Sequence, residues 1–228
     1  MPTPVRTQAT LKKIIDHGDG IYSLRFAVPN RCTRFKAGQF LHLTLEEFDP
    51  SEGYWPESRV FSIASRPGGD FIEIVYSVKG TYTRKMEAVL KEGMQVWLKL
   101  PYGDYIVDQH ITQGQHAVFI AGGTGISPFI PYLYQLQEQG SNHPLSIYYG
   151  IRDHEHYLYK NLLEEIAPIA EVKITEGIFD VGRISREVSR IEGAVCFISG
   201  PPGMIQVFQQ QLGECGFPSE SIIIDAWE

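Results

Sequence analysis

The chain has 228 residues, of which 43% are hydrophobic and 21% charged, enough to bury one large core or two compact ones. A net charge of −7 argues against non-specific nucleic-acid binding, and no apolar run reaches the roughly 18–20 residues that span a bilayer. Cys32, Cys196 and Cys215 are odd in number and far apart. They exclude a disulfide framework and a recognisable zinc or iron–sulfur motif; with no apolar leader after Met1, a monomeric cytoplasmic chain without a metal site is expected.

The first half reads as strands separated by turn residues. Segments 5–15 and 21–28 flank the turn cluster Asp16-His-Gly-Asp-Gly20. Strands at 40–45, 60–64, 71–78 and 94–100 follow, with one helix over 83–90. Short strands at this spacing predict a small antiparallel barrel, here of six strands. The long segment 48–57 reads as a loop whose aromatics border a site.

Near residue 112 the rhythm changes to strand–helix alternation. Strands are predicted at 117–121, 145–150, 170–175, 194–199 and 221–225, and helices at 126–138, 158–167, 183–190 and 203–213. Five strands with helical crossovers predict an open parallel α/β sheet, with ligands at the strands' carboxyl ends. Charge divides at the same place. Residues 1–108 carry 14 basic against 13 acidic side chains, and residues 109–228 carry 6 against 14. Two domains are therefore expected, 1–110 and 111–228.

The stretch Ala117-Val-Phe-Ile-Ala-Gly-Gly-Thr-Gly-Ile-Ser-Pro128 is a buried strand, a glycine turn and a helix start. That arrangement aims backbone N–H groups at one point, where a pyrophosphate can sit, although a plain strand–helix turn reads the same way. Phe197-Ile-Ser-Gly-Pro-Pro-Gly-Met204 repeats the pattern on the fourth strand. Between them Tyr148-Tyr-Gly-Ile-Arg-Asp153 ends the second strand in residue types that meet a ribose or its phosphate. In the first half, Arg59-Val-Phe-Ser62 lies on a strand, with Arg59 and Phe61 on one face and Val60 and Ser62 on the other. Lys79-Gly-Thr-Tyr-Thr83 places a glycine and hydroxyls before a helix, which suits a second phosphate or a simple cap.

In this order, Arg-x-(Tyr/Phe)-Ser, Gly-x-x-(Ser/Thr), Gly-Thr-Gly-x-x-Pro, Ser-Gly-Pro-x-x-Met and a terminal aromatic, the chain resembles the ferredoxin–NADP⁺ reductase superfamily from about Val5 to its last residue. The resemblance implies an FAD-binding barrel followed by an NAD(P)-binding α/β domain. It makes Arg59 the partner of the FAD pyrophosphate. Phe61 stands where tyrosine is usual against the flavin ring, and Ser62 would bond near flavin N5. Gly80, Thr81, Tyr82 and Thr83 would support the pyrophosphate, and the backbone of Val75, Tyr76 and Ser77 would line the flavin. Gly123, Thr124, Gly125 and Pro128 would hold the NAD(P) pyrophosphate, with Gly200, Pro201 and Met204 on the nicotinamide side.

Around the adenosine ribose the resemblance leaves the nucleotide open. Arg152 and Arg183 favour a 2′-phosphate, whereas Asp153 and Glu155 favour free hydroxyls. Ser199 replaces a cysteine common in the family. Asp225 and the penultimate Trp227 resemble the chain ends of the diflavin reductases, so that Ser62, Ser199, Asp225 and Trp227 form the implied catalytic set, with Trp227 stacked on the flavin as a gate. The implied activity is hydride transfer from NAD(P)H to flavin N5, then electron transfer to a ferredoxin or flavodoxin. Arg31, Arg34 and Lys36, with Arg84 and Lys85, could steer such an acidic carrier. A free-flavin reductase, the reductase component of an oxygenase, and an electron-transfer subunit are the alternatives.

Overall fold

A computed structural model describes residues 4–51, 53–140 and 143–225. The chain divides into two compact units, Met1–Asp104 and Tyr105–Glu228. Among the described residues no helix is long and apolar enough to cross a membrane.

The first unit is a six-stranded antiparallel sheet of strands β1 (Val5–Asp16), β2 (Ile21–Ala27), β3 (Phe40–Thr44), β4 (Arg59–Ser62), β5 (Ile72–Ser77) and β6 (Gln95–Tyr102), in the order β4-β3-β6-β1-β2-β5. Period-two alternation builds its core. Ala9 and Leu11 of β1 and Val96, Leu98 and Leu100 of β6 point inward, joined by Leu24, Phe26, Leu41 and Leu43. A single bridge, Ile63 to Ile74, and the bond from Ala64 N–H to the Glu73 carbonyl (2.8 Å) nearly close the sheet into a barrel. No ladder joins Arg59–Ser62 to Val75–Ser77 among the described residues, so the barrel keeps a seam there. Helix α1 (Thr81–Val89) follows β5. It starts two residues earlier than its periodicity suggests, because Thr83 Oγ1 accepts from the N–H groups of Lys79 (3.0 Å) and Gly80 (3.1 Å) and holds the chain at Gly80 in register for the first turn.

The second unit is a five-stranded parallel sheet: β7 (Ala117–Gly122), β8 (Leu145–Ile151), β9 (Glu171–Glu176), β10 (Val195–Ser199) and β11 (Ile222–Asp225). Their order is β11-β10-β7-β8-β9. The chain thus steps outward in one direction from β7 and in the other through β10, which makes the β7/β10 boundary a topological switch point. Crossovers are made by α3 (Ile130–Gln139), α4 (Lys160–Ile166), α5 (Val181–Val188) and α6 (Pro202–Glu214), and a short α2 (Val107–His110), absent from the sequence reading, precedes β7. One face of the sheet packs Val118, Ile120, Cys196 and Ile198 against Ile184, Val188, Ile205 and Phe208 of α5 and α6. The other is aromatic: Phe119 stacks on Phe129 at 4.3 Å and meets Phe197 edge-on at 5.7 Å.

The predicted helix from residue 126 is corrected in detail. Gly123–Phe129 forms a 3₁₀ segment and the α-helix begins at Ile130, whose N–H bonds the Ser127 carbonyl. Pro128 and Pro131 supply no N–H, and three glycines precede them, so the tighter turn persists until regular donors resume.

At the switch point two backbones touch. A Cβ on Gly125 would lie 2.4 Å from the Ser199 carbonyl oxygen and 2.6 Å from Gly200 Cα. Gly125→Ala is therefore expected to displace one turn, lowering stability by at least about 2 kcal/mol in denaturant titration. A second expectation concerns α5. Ser185 is fully buried, and its hydroxyl has no hydrogen-bond partner among the described residues. Ser185→Ala is expected to raise stability by about 1 kcal/mol, because a desolvated donor disappears with little change in volume; an unchanged or lower unfolding midpoint would contradict this.

Candidate functional site

Two sets of candidate residues, one in each unit, are built differently. In the barrel, Arg59 leaves β4 with half of its side chain exposed. Its guanidinium lies 4.8 Å from the centre of the Tyr82 ring and 3.0 Å from a Glu57 carboxylate oxygen. Tyr82 is the second residue of α1, so the contact brings a permanent cation to a helix N-terminus. The first intrahelical bond runs from Arg84 N–H to the Gly80 carbonyl at 3.0 Å, which leaves Thr81, Tyr82 and Thr83 with no acceptor inside the helix. Positive charge and outward N–H groups thus converge on one small region, the chemistry an anion requires.

Tyr82 fixes this region to the barrel. Its hydroxyl donates to the Leu43 carbonyl (2.9 Å) and accepts from Leu45 N–H (3.2 Å). Burial pushes its phenol up to about 12, so it remains a neutral donor. The exposed Arg59–Glu57 pair is worth little by itself, about 0–1 kcal/mol, so an incoming phosphate can displace the carboxylate at small cost. Sequence reasoning missed Glu57, although its spacing of two from Arg59 before a strand is visible.

Beside Arg59, the half-buried Phe61 ring meets Tyr76 at 6.1 Å, and Tyr76 stacks on Tyr22 at 5.5 Å. Val60 and Ser62 are half-buried on the opposite face of β4; Val75 and Tyr76 are buried, and Ser77 half-buried, on β5. The seam between these segments offers a flat aromatic wall and strand backbone outside any β4–β5 ladder, which suits a planar heterocycle with hydrogen-bonding edges. The residues present therefore fit a flavin nucleotide.

The 48–57 loop lays two aromatics on the barrel wall, while its Glu57 reaches Arg59. Phe48 packs against Trp55 (5.2 Å) and Trp97 (5.3 Å) on the outer wall of β6, and Trp55 donates to Ser58 Oγ. Apolar area draws these rings to the strand surface, and Tyr54 is left 73% exposed. The basic residues separate into two groups. Arg31, Arg34 and Lys36 share one end of the barrel with Arg66, because Gly68 N–H bonds the Thr33 carbonyl at 2.7 Å. Arg84 and Lys85 lie on α1, where Lys85 is 3.9 Å from Glu46.

In the second unit the β7 and β10 turns are pressed together. Besides the Gly125 contact, a Cβ on Gly122 would meet Met204 Sδ at 2.6 Å and Pro201 Cδ at 3.1 Å, and one on Gly200 would meet Met204 Cε at 2.7 Å. Gly122, Gly125, Gly200, Pro201 and Met204 are thus packed at one point, with Gly123, Thr124 and Pro128 in the adjoining 3₁₀ segment. Ser127 braces it by donating to the Thr124 carbonyl at 2.7 Å; the three-residue spacing was the available signal. Ser199 and Asp225 face each other across β10 and β11, both buried, with Ser199 Oγ donating to Asp225 Oδ2 at 3.2 Å. The fully buried Tyr105 phenol is pushed well above its usual range by desolvation and, next, by the charge of Asp225. Trp227 lies outside the described residues.

Arg152 and Asp153 follow β8. Arg152 is exposed, and Asp153 caps the short turn His154–His156 through Oδ1, which accepts from the N–H groups of Glu155 (3.0 Å) and His156 (3.2 Å) and from His156 Nδ1 (2.7 Å). Arg183 on α5 lies 3.5 Å from Glu187, one turn further along the helix. Of the residues expected around a ribose, Asp153 is positioned by its cap and Arg183 by an ion pair.

Comparison with known proteins agrees with this geometry. The family of oxidoreductase NAD-binding domains matches residues 119–210. The reductase component of propane 2-monooxygenase from Rhodococcus jostii is 27% identical over 97% of this chain and 63% of its own length. Flavohemoglobin from Malassezia yamatoensis superposes with a TM-score of 0.80 at 20% identity, covering 97% of this chain and 60% of that one. A ferredoxin NADP⁺ reductase from Neisseria gonorrhoeae, solved with FAD and NADP, gives 0.76 at 16% identity and covers 99% of both chains. The chain spans about half the length of the curated relatives it matches. Residues 119–210 thus match an oxidoreductase NAD-binding domain, and the barrel and parallel sheet share the fold of the solved ferredoxin NADP⁺ reductase.

Proposed function

We propose that the chain is an FAD-dependent reductase that oxidises NAD(P)H and delivers electrons to a separate protein carrier of ferredoxin or flavodoxin type. The observation that carries the reading is the cradle formed by Gly122, Gly125 and Gly200, where backbone approaches backbone at the switch point of a parallel sheet. A nucleotide pyrophosphate fits a turn of this kind because phosphate oxygens are satisfied by N–H donors and need no side chain in the way. FAD, when bound, supplies the hydride and single-electron chemistry that no side chain of this protein can provide.

The protein's part is binding, orientation and control of polarity. Arg59 and the first turn of α1 would take the FAD phosphates, Phe61 and the backbone of Val75–Ser77 the ring, and Ser62 a polar ring edge. Gly123, Thr124 and Gly125 would hold the nicotinamide nucleotide's phosphates. Ser199 and Asp225, already hydrogen-bonded in a dry setting, would present a fixed dipole and charge to the nicotinamide, with the aromatic Trp227 as the gate that yields to it. Orientation of this kind lowers the barrier by avoiding reorganisation during the reaction. Arg31, Arg34, Lys36 and Arg66 support docking of an acidic protein, whose approach would weaken with salt. Likeness to the reductase component of propane 2-monooxygenase supports a second reading, in which the carrier is an oxygenase component. The free thiols Cys32, Cys196 and Cys215 suit a reducing, cytoplasmic setting.

Purified protein is expected to carry flavin absorbance that bleaches anaerobically on addition of NADH or NADPH. Cytochrome c reduction should rise when a ferredoxin is added. A protein that binds flavin but never bleaches would exclude the enzymatic reading, and flavin lost on dialysis would favour a free-flavin reductase. Arg59→Ala is expected to raise the FAD dissociation constant about 10-fold or more with an unchanged far-UV circular dichroism spectrum, and Arg59→Lys should fall between. Equal FAD affinity in all three proteins would remove Arg59 from the site.

A further inference from the structure

We propose that Ser58 and His42 are positioning residues for Arg59, and that a proton on His42 loosens their hold on its guanidinium. This rests on the FAD phosphate site proposed above, whose regulation it names. Ser58 touches different groups through its backbone and its side chain. Its carbonyl accepts from Arg59 Nη1 at 2.9 Å. Tyr82 lies beneath the guanidinium, so the Ser58 carbonyl and the Glu57 carboxylate (3.0 Å) decide its direction in the plane. The Ser58 hydroxyl points to the outer wall, 3.1 Å from Trp55 Nε1 and 3.4 Å from His42 Nδ1. His42 is half-buried there because Leu41 and Leu43, its neighbours on β3, turn into the core.

The bonds of this chain have a direction. An indole N–H can only donate, so it occupies an acceptor site on Ser58 Oγ. The Ser58 hydrogen then needs an acceptor, and the Nδ1 lone pair of a neutral His42 lies within reach. That order assigns the ring proton to Nε2. At 3.4 Å the link to His42 is the longest of those around Ser58, and it yields first.

The surroundings of His42 keep it neutral. On β6 it stands opposite Lys99, and Lys99 stands opposite Arg6 of β1. On its other side is the uncharged Val60 of β4. Tyr102 meets the imidazole edge-on at 4.9 Å, and Lys99 Nζ lies 5.3 Å from the Tyr102 ring centre and 5.9 Å from that of Trp55. Glu57, the carboxylate next to Ser58, is paired with Arg59. Burial, and after it the charge of Lys99, hold the His42 pKa below the usual histidine value. The ring is therefore neutral at pH 7 and takes up a proton only in acid. A proton on Nδ1 would turn the Ser58 acceptor into a second donor. It would also make a third cation in the row Arg6, Lys99, His42. Ser58 is then anchored by Trp55 alone, and Arg59 has to be ordered when an anion binds, which costs affinity.

The test is the FAD dissociation constant of the flavin-depleted full chain, read by flavin fluorescence from about pH 8 to about pH 5, where the FAD pyrophosphate does not titrate. Wild type is expected to bind about 3- to 10-fold more weakly at the acid end. Ser58→Ala should show that weaker affinity at every pH, and His42→Phe should match it. His42→Asn keeps an acceptor near the place of Nδ1 and does not titrate, so it should hold the neutral wild-type affinity throughout. By linkage, the His42 ring followed by NMR should titrate at lower pH once FAD is bound. A wild-type affinity that is flat or rises in acid, a wild-type profile in His42→Asn, or wild-type affinity in Ser58→Ala would overturn the positioning while Arg59→Ala stayed weak. If Arg59→Ala bound FAD as tightly as wild type, the phosphate assignment itself would fall.

Discussion

The second unit depends on one contact: the carbonyl of Ser199 lies where a side chain on Gly125 would have to be. Two parallel strands, each ending in a turn, can bring those turns together only if neither carries a β-carbon at the meeting point. Once that is met, the strands pair in register from Ala117 and Val195 to Ala121 and Ser199. The connections then leave in opposite directions. A chain with larger residues at 122, 125 and 200 could keep the same strands and lose the cradle. The polar pair Ser199–Asp225 is positioned by the same register, one strand further out.

The barrel solves the corresponding problem with side chains. Its seam exists because, among the described residues, no ladder joins β4 to β5 beyond the Ile63–Ile74 bridge and the Ala64–Glu73 bond, and a cation and free helix donors are brought there by Arg59 and by the start of α1. Under the proposed reading the two units would use opposite means for one kind of ligand: backbone donors at a glycine contact in the sheet, and a guanidinium beside a helix end in the barrel. A guanidinium suits the barrel because its charge does not titrate away and its donors are coplanar.

Much of this was legible in the sequence because it depends on local rules. Alternation gave the six barrel strands, and apolar runs ending in glycine gave β7 and β10, since both signals are set by which face is buried. Residues whose role depends on a partner elsewhere were less legible. The Thr83 hydroxyl could cap a helix or meet a phosphate, and its bonds to the Lys79 and Gly80 N–H groups settle only the first. Arg183 reads as a phosphate ligand in the sequence, and the pairing with Glu187, one turn away, becomes visible only in the structure. Composition does not say which wall the aromatics of the 48–57 loop will cover; Phe48 and Trp55 settle beside Trp97. The 3₁₀ segment at Gly123–Phe129 was read as helix because two prolines and an apolar periodicity give the same pattern for both.

Tyr82 joins two things that could have been separate. Its ring underlies the Arg59 guanidinium, while its hydroxyl ties the start of α1 to β3. The cation and the helix end therefore move as one body, and their relative placement is fixed when the barrel folds instead of when a ligand arrives. An anion bound there, as proposed above, would forfeit little rotamer freedom, because the groups that meet it are already held together.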